Sequence, residues 1–143
     1  MKKILTIFVL AAAITTAGCS STGNNQTETS SQPPQTIESV EEGTFANVDV
    51  NEAKKLIEQG ITVVDVRTPQ EFAEGHIPNA KLIPLQELET RLNEFSKDEK
   101  YLIVCRSGNR SAQASEILVQ NGMKHIYNMS GGMNEWTGEV VQE

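Results

Sequence analysis

The stretch Tyr101–Ser111, with the sequence YLIVCRSGNRS, carries the clearest structural signal in the chain. Its first four residues are apolar, as is typical of a strand buried on both faces of a parallel sheet. Cys105 follows directly, and after a short polar loop the apolar spacing predicts a helix. Free backbone N–H groups, the helix dipole and the nearby Arg106 and Arg110 all favour a thiolate at this position. The stretch therefore predicts a nucleophilic cysteine.

Strand and helix patterns alternate along the rest of the chain. The predicted strands are Phe45–Val48, Ile61–Val66, Ala80–Ile83, Tyr101–Val104 and His125–Asn128. Four helical segments are predicted. The first is capped by Asp49 or Asn51 and ends at Gly60, and the second is a brief turn over Pro69–Ala73. The third carries a stripe of leucines at Leu85, Leu88 and Leu92, and the fourth is Ser111–Asn121. Such alternation predicts an α/β fold, with a mainly parallel sheet and helices on both faces.

The N-terminus has the pattern of an export signal. Within residues 1–18, Lys2 and Lys3 precede an apolar stretch, Ile4–Ala13, that is too short for a comfortable membrane span. Thr16–Cys19 resembles a bacterial lipobox, although Thr16 stands where an aliphatic residue is usual. We expect Cys19 to be lipidated and to become the mature N-terminus. The alternative is an ordinary secretory signal that is cleaved nearby.

Residues 19–44 are predicted to form the lipidated cysteine and a flexible polar tether, and residues 45–143 the folded domain. The predicted location is extracytoplasmic, with the lipid anchor as the contact to the membrane. A net charge of −7 without a basic tract argues against nucleic acid as a partner. With Cys19 lipidated, Cys105 has no disulfide partner, and His76 and His125 belong to no metal-ligand cluster.

Four separated motifs resemble those of the single-domain rhodanese-like sulfurtransferases. The motifs are Asp65–Phe72, Gly75–Ala80, Cys105–Ser111 and Gly131–Trp136, and the similarity covers about Val48 to Trp136. Asn79 departs from the pattern, because the family more often has glycine there. The four motifs in this order imply a five-stranded, mainly parallel α/β domain of the rhodanese-like type.

The resemblance implies that Cys105 takes the outer sulfur of a small anionic donor such as thiosulfate, becomes a persulfide, and passes the sulfur to cyanide or a thiol. No cofactor and no metal are implied. Backbone N–H groups of the loop can form an anion-binding nest, and Gly108 permits the curl that a nest requires. The residues predicted to bind the donor are Arg106, Ser107, Gly108, Asn109, Arg110 and Ser111. Asp65 and Arg67, together with Glu71, are predicted to brace the site through ion pairs and hydrogen bonds.

Other interpretations remain open for individual residues. Cys105 could be an inert core cysteine, Arg110 could simply pair with a carboxylate, and Arg106 could point into solvent. His76 is expected to be structural. Ser111 is expected either to cap its helix or to donate a hydrogen bond to the loop.

Three functions other than sulfur transfer could use a cysteine in such a loop. Related phosphatases and arsenate reductases use a C-x5-R loop, whereas four residues separate Cys105 from Arg110 here. A non-catalytic module that carries sulfane sulfur or senses oxidants would use the same cysteine without multiple turnover. A thiol–disulfide exchanger is disfavoured, because the chain has no C-x-x-C motif.

Overall fold

The computed structural model describes residues 43–143. Its centre is a five-stranded sheet in the order β1-β5-β4-β2-β3, in which every pair of neighbouring strands is parallel. The strands are β1 (Ala46–Val48), β2 (Thr62–Asp65), β3 (Lys81–Leu82), β4 (Lys100–Val104) and β5 (His125–Met129). The predicted fold class is confirmed. The predicted lipid anchor at Cys19, and most of the predicted tether, lie outside the described residues.

Helices cover both faces of the sheet. They are α1 (Val50–Glu58), α2 (Pro69–Glu74), α3 (Asn109–Gln120) and α4 (Gly132–Glu135), with a 3-10 helical segment over Leu85–Glu94. Asp49 caps α1, and Thr68 caps α2 in a capping box with Glu71. None of the helices within residues 43–143 is long and apolar enough to cross a membrane.

The central strand β4 divides the core into two clusters. Successive side chains of a strand point to opposite faces, so Tyr101, Ile103 and Cys105 join the cluster that contains Leu118 of α3. Leu102 and Val104 join the cluster that contains Leu56 of α1. Because both faces of β4 are buried, the strand is apolar at consecutive positions. Cys105 follows the carboxyl end of this central strand.

The leucine stripe forms a 3-10 helix, which the sequence pattern did not specify. Leu85 and Leu88 are three residues apart, the spacing that eclipses side chains in a 3-10 helix. The segment is interrupted at Arg91, where φ is −114° and ψ is 16°. The interruption falls between Leu88 and Leu92, which are four residues apart rather than three. Leu88 is fully buried.

The C-terminal segment pairs with the loop after α2. The backbone N–H and carbonyl groups of His76 and Val141 exchange hydrogen bonds of 2.9 Å in an isolated antiparallel bridge. The His76 ring stacks on Phe72 with 3.6 Å between ring centroids, and its Nδ1 lies 2.9 Å from the Phe72 carbonyl oxygen. His76 thus packs α2 against the end of the chain.

Candidate active site

The loop that follows β4 folds back around the sulfur of Cys105. The Gly108 N–H donates to Cys105 Sγ at 3.1 Å, and Ser111 Oγ lies 3.3 Å from the same sulfur. Cys105 is a free cysteine, and only 1% of the residue is exposed. The sulfur is therefore buried within the loop, at hydrogen-bond distance from the Gly108 N–H and the Ser111 hydroxyl.

Gly108 makes the curl of the loop possible. Its φ of +89° lies in the left-handed region, which glycine adopts without strain. A Cβ at this position would also collide with the carbonyl oxygen of Ser130, which precedes α4. Gly108 is the N-cap of α3, so the helix begins at Asn109, two residues before the predicted start at Ser111.

The outer side of the loop is held by α4. The N–H of Met133 donates to the Cys105 carbonyl at 2.8 Å, and the N–H of Asn134 donates to the Arg106 carbonyl at 2.9 Å. Gly132 has a φ of +58°, and a Cβ there would lie 2.6 Å from both of those carbonyl oxygens. With its carbonyls bound to α4, the loop can turn N–H groups toward the sulfur.

These hydrogen bonds shift the ionisation of Cys105. Burial raises the pKa of the thiol, because the buried thiolate loses hydration. Hydrogen bonds from the Ser111 hydroxyl and from the backbone N–H groups of Ser111, Ser107 and Gly108 lower it, and together they outweigh burial. The net result is a Cys105 pKa below the ordinary value of a thiol, which favours the nucleophilic form.

Arg110 is bound to a carboxylate on the neighbouring helix. Its two terminal nitrogens donate to Glu71 at 2.8 and 2.7 Å. The hydrogen bond from Arg110 is the largest influence on Glu71, whose pKa is lowered to about 2. A pair with a carboxylate is one of the interpretations that the sequence leaves open for Arg110, and the two donated hydrogen bonds make Glu71 the partner of this guanidinium.

The other predicted donor-binding residues lie at the rim of the loop. Arg106, Ser107 and Asn109 are exposed. Within residues 43–143 the Arg106 side chain has no hydrogen-bond or ion-pair partner. The loop therefore carries one solvent-facing guanidinium, and the roles predicted for these three residues stay predictions.

Asp65 and Arg67 form a buried ion pair behind the loop. The guanidinium of Arg67 donates to both carboxylate oxygens of Asp65, at 2.6 to 3.0 Å, and to the Gly75 carbonyl at 2.8 Å. Asp65 is 1% exposed and Arg67 is 6% exposed. Asp65 is in register with Val104, the residue before Cys105. The pair thus fixes the end of β2 beside the start of the reactive loop.

Some functional contacts were missed by sequence reasoning. The sequence predicts a bracing role for Glu71 but does not reveal its partner Arg110, which lies 39 residues further along the chain. The backbone donors Met133 and Asn134 were not foreseen as supports of the loop. The sequence signal for these contacts is the pair of consecutive glycines Gly131 and Gly132. A glycine at the start of a helix often marks a place where another backbone segment comes close.

Comparison with protein families gives a direct match. The family model described as "Rhodanese-like domain" matches residues 49–139. A sulfurtransferase of Allochromatium vinosum is 41% identical over 78 residues, which is 54% of this chain and 73% of that protein. A thiosulfate sulfurtransferase (GlpE) of Pseudomonas syringae is 33% identical over 99 residues, covering 69% of this chain and 93% of that protein.

The chain is also similar to an uncharacterised relative and to a solved structure. The uncharacterised YqhL of Bacillus subtilis is 41% identical over 78 residues, and the match spans 54% of this chain and 62% of that relative. The crystal structure of a rhodanese-like domain protein from Staphylococcus aureus has a TM-score of 0.64 and 40% identity, covering 68% of this chain and 98% of that one.

Proposed function

The chain belongs to the rhodanese-like domain family, and we propose that it is a sulfurtransferase with Cys105 as the sulfur-carrying nucleophile. The observation that carries the proposal is the sulfur of Cys105, which accepts hydrogen bonds from Gly108 and Ser111 at the end of β4. Hydrogen bonds from the loop lower the pKa of the thiol, which favours the nucleophilic thiolate. Relatives named as sulfurtransferases support the same reaction class.

The proposed reaction has two displacement steps at sulfur. The Cys105 thiolate attacks the outer sulfur of thiosulfate, an S–S bond forms at Sγ, and the S–S bond of the donor breaks as its electron pair leaves with sulfite. Cyanide or a thiolate then attacks the outer sulfur of the Cys105 persulfide. The Sγ–S bond breaks and its electron pair returns to the Cys105 thiolate, so the cycle with cyanide yields thiocyanate without an outside oxidant or reductant.

The loop contributes to both steps through fixed hydrogen-bond donors. The N–H groups that face Sγ stabilise the thiolate before attack and again when it leaves, because the same negative charge returns to the same atom. Because the backbone N–H groups of α4 hold the loop from outside, the donors that face Sγ need no rearrangement during the reaction. The exposed Arg106 is proposed to attract the anionic donor.

A steady-state assay tests the proposal. We expect the protein to form thiocyanate from thiosulfate and cyanide, and we expect Cys105→Ser to abolish turnover. Ser115→Ala is the matched control, since Ser115 is a buried residue of α3 that donates to the Ser111 carbonyl rather than to the sulfur. Turnover that survives in Cys105→Ser refutes the proposal. Stoichiometric loading of Cys105 without turnover would instead identify a sulfur carrier.

We also propose that the protein is an exported lipoprotein, on the basis of residues 1–19 of the sequence. The net charge of −7 offers little attraction to an anionic bilayer, so the anchor would supply the membrane contact. Metabolic labelling with a palmitate analogue should mark the wild-type protein and leave Cys19→Ala unmarked. Equal labelling of both proteins, or labelling of neither, contradicts lipidation at Cys19.

A further inference from the structure

Three arginines lie on or beside the reactive loop, and they differ in how their charge is compensated. Arg67 is buried against Asp65, with 2.6 Å between the closest nitrogen and oxygen. Arg110 forms its bidentate pair with Glu71. Arg106 is exposed and has no side-chain partner within residues 43–143. The formal positive charge that the loop offers to a substrate therefore comes from Arg106.

Glu71 is held in place by more than its pair with Arg110. It is the third residue of the α2 capping box, and its carboxylate accepts from the backbone N–H and the hydroxyl of Thr68, each at 3.1 Å. These bonds fix the carboxylate at the start of the helix independently of Arg110. Donation by Arg110 to a bound substrate would therefore have to compete with an anchored, ionised carboxylate.

This arrangement has a consequence for donor charge. A thiolate that attacks a dianion gathers three negative charges in one site, whereas attack on a monoanion gathers two. The unpaired guanidinium of Arg106 reduces the electrostatic repulsion in both cases, but the thiolate still repels the dianion more strongly than the monoanion. A second free arginine would remove much of that difference.

Building on the sulfur-transfer function proposed above, we propose that Glu71 is a specificity-determining residue. By neutralising Arg110, it adapts the site to sulfane-sulfur donors that carry a single negative charge, such as thiosulfonates and the persulfides of small thiols, in preference to the dianion thiosulfate. With a thiosulfonate, the Cys105 thiolate attacks the outer sulfur, the S–S bond of the donor breaks, and its electron pair leaves with the sulfinate. Arg110 is then a positioning residue that ties α3 to α2.

The first test compares two donors that differ by one charge. Methanethiosulfonate replaces one oxygen anion of thiosulfate by a methyl group and keeps the S–S bond. We expect the wild-type kcat/KM to be higher for methanethiosulfonate. Glu71→Gln, which preserves the capping-box pattern, should raise kcat/KM for thiosulfate by a factor of about three to ten, mainly through KM, with a smaller gain for methanethiosulfonate.

Single and double variants distinguish neutralisation of Arg110 by Glu71 from direct binding of the donor by Arg110. Arg110→Gln leaves Glu71 uncompensated and should lower kcat/KM for thiosulfate, while the double variant Glu71→Gln/Arg110→Gln should return close to the wild-type donor preference. Glu74→Gln is the matched control, because Glu74 is an exposed carboxylate of the same helix without an ion pair among residues 43–143. If Arg110 binds the donor itself, the double variant will keep the full defect of Arg110→Gln, and this result overturns the proposal.

A measurement without sulfur transfer keeps this inference separate from the proposed function. Cys105 is alkylated by neutral iodoacetamide and by anionic iodoacetate, and the ratio of the two rates reports the charge that an approaching anion meets. Glu71→Gln should raise the iodoacetate-to-iodoacetamide ratio about three- to tenfold, Arg110→Gln should lower it, and the double variant should restore it. An unchanged ratio in Glu71→Gln refutes the charge argument even in a protein that transfers sulfur.

Discussion

Loss of the Arg67 guanidinium is expected to destabilise the domain strongly. In Arg67→Ala the carboxylate of Asp65, which is 1% exposed, loses its cationic partner and keeps the backbone N–H of Arg67 at 3.0 Å as a donor. The Gly75 carbonyl also loses the hydrogen bond that it receives from the guanidinium. A buried charge that is left without its counter-ion cannot regain the hydration it has in the unfolded chain.

The size of the loss follows from the burial of the pair. Removing one partner of a buried ion pair costs about 3–5 kcal/mol, which is a large part of the roughly 5–15 kcal/mol that stabilises a typical domain. Arg91→Ala is the matched control, because Arg91 pairs with Glu87 and Glu94 at the surface with side-chain exposures of 30 to 55%. Loss of such exposed pairs costs up to about 1 kcal/mol.

Urea unfolding followed by fluorescence measures both variants, since Trp136 is the single tryptophan of the chain. Arg67→Ala should lower the midpoint by roughly 2–3 M, and Arg91→Ala should lower it by less than about 1 M. Equal shifts in the two variants would refute the reasoning, because they would show that burial of the Asp65–Arg67 pair adds nothing to its energetic importance.

Three further predictions concern single side chains. Asn79→Ala should cost about 1 kcal/mol of stability and Asn79→Gly should be tolerated, because Asn79 has a φ of 63°, and urea midpoints measure both. Ser111→Ala should slow alkylation of Cys105 by iodoacetamide at pH 7 about three- to tenfold, since it removes a donor to the thiolate, while Ser115→Ala should not. Glu71 has a folded-state pKa of about 2, below its ordinary 4.5, so its contribution to stability is complete above pH 4.5 and is lost as the pH falls toward 2. Unfolding free energies measured across that range should fall less steeply in Glu71→Gln; an identical slope would contradict this assignment.

Much of the sheet could be predicted because its strands are short apolar runs between clear helix signals. Tyr101–Val104 is buried on both faces, so its continuous apolar character was informative. Asp49 was one of two proposed caps, and it forms the capping box with Glu52. The sequence does not predict the 3-10 helix, because the spacing of Leu85, Leu88 and Leu92 fits both an α-helix and a 3-10 helix. Only the structure shows the 3-10 geometry and its interruption at Arg91.

The site was less accessible to prediction, because its supports come from distant segments. A local pattern identified Cys105 and the glycine that lets the loop curl. No local pattern could show that Glu71 meets Arg110, or that α4 donates two backbone hydrogen bonds to the loop carbonyls. The departure at Asn79 has a physical explanation, since asparagine is one of the few residues that tolerate the left-handed conformation found there.

Intact-protein mass spectrometry after incubation with thiosulfate or methanethiosulfonate measures sulfur loading at Cys105 directly. We expect the wild-type protein to gain one sulfur atom, Cys105→Ser to gain none, and the added sulfur to be lost on addition of cyanide with release of thiocyanate. A protein that gains no sulfur from either donor, or that gains it equally in Cys105→Ser, would contradict sulfur transfer through Cys105.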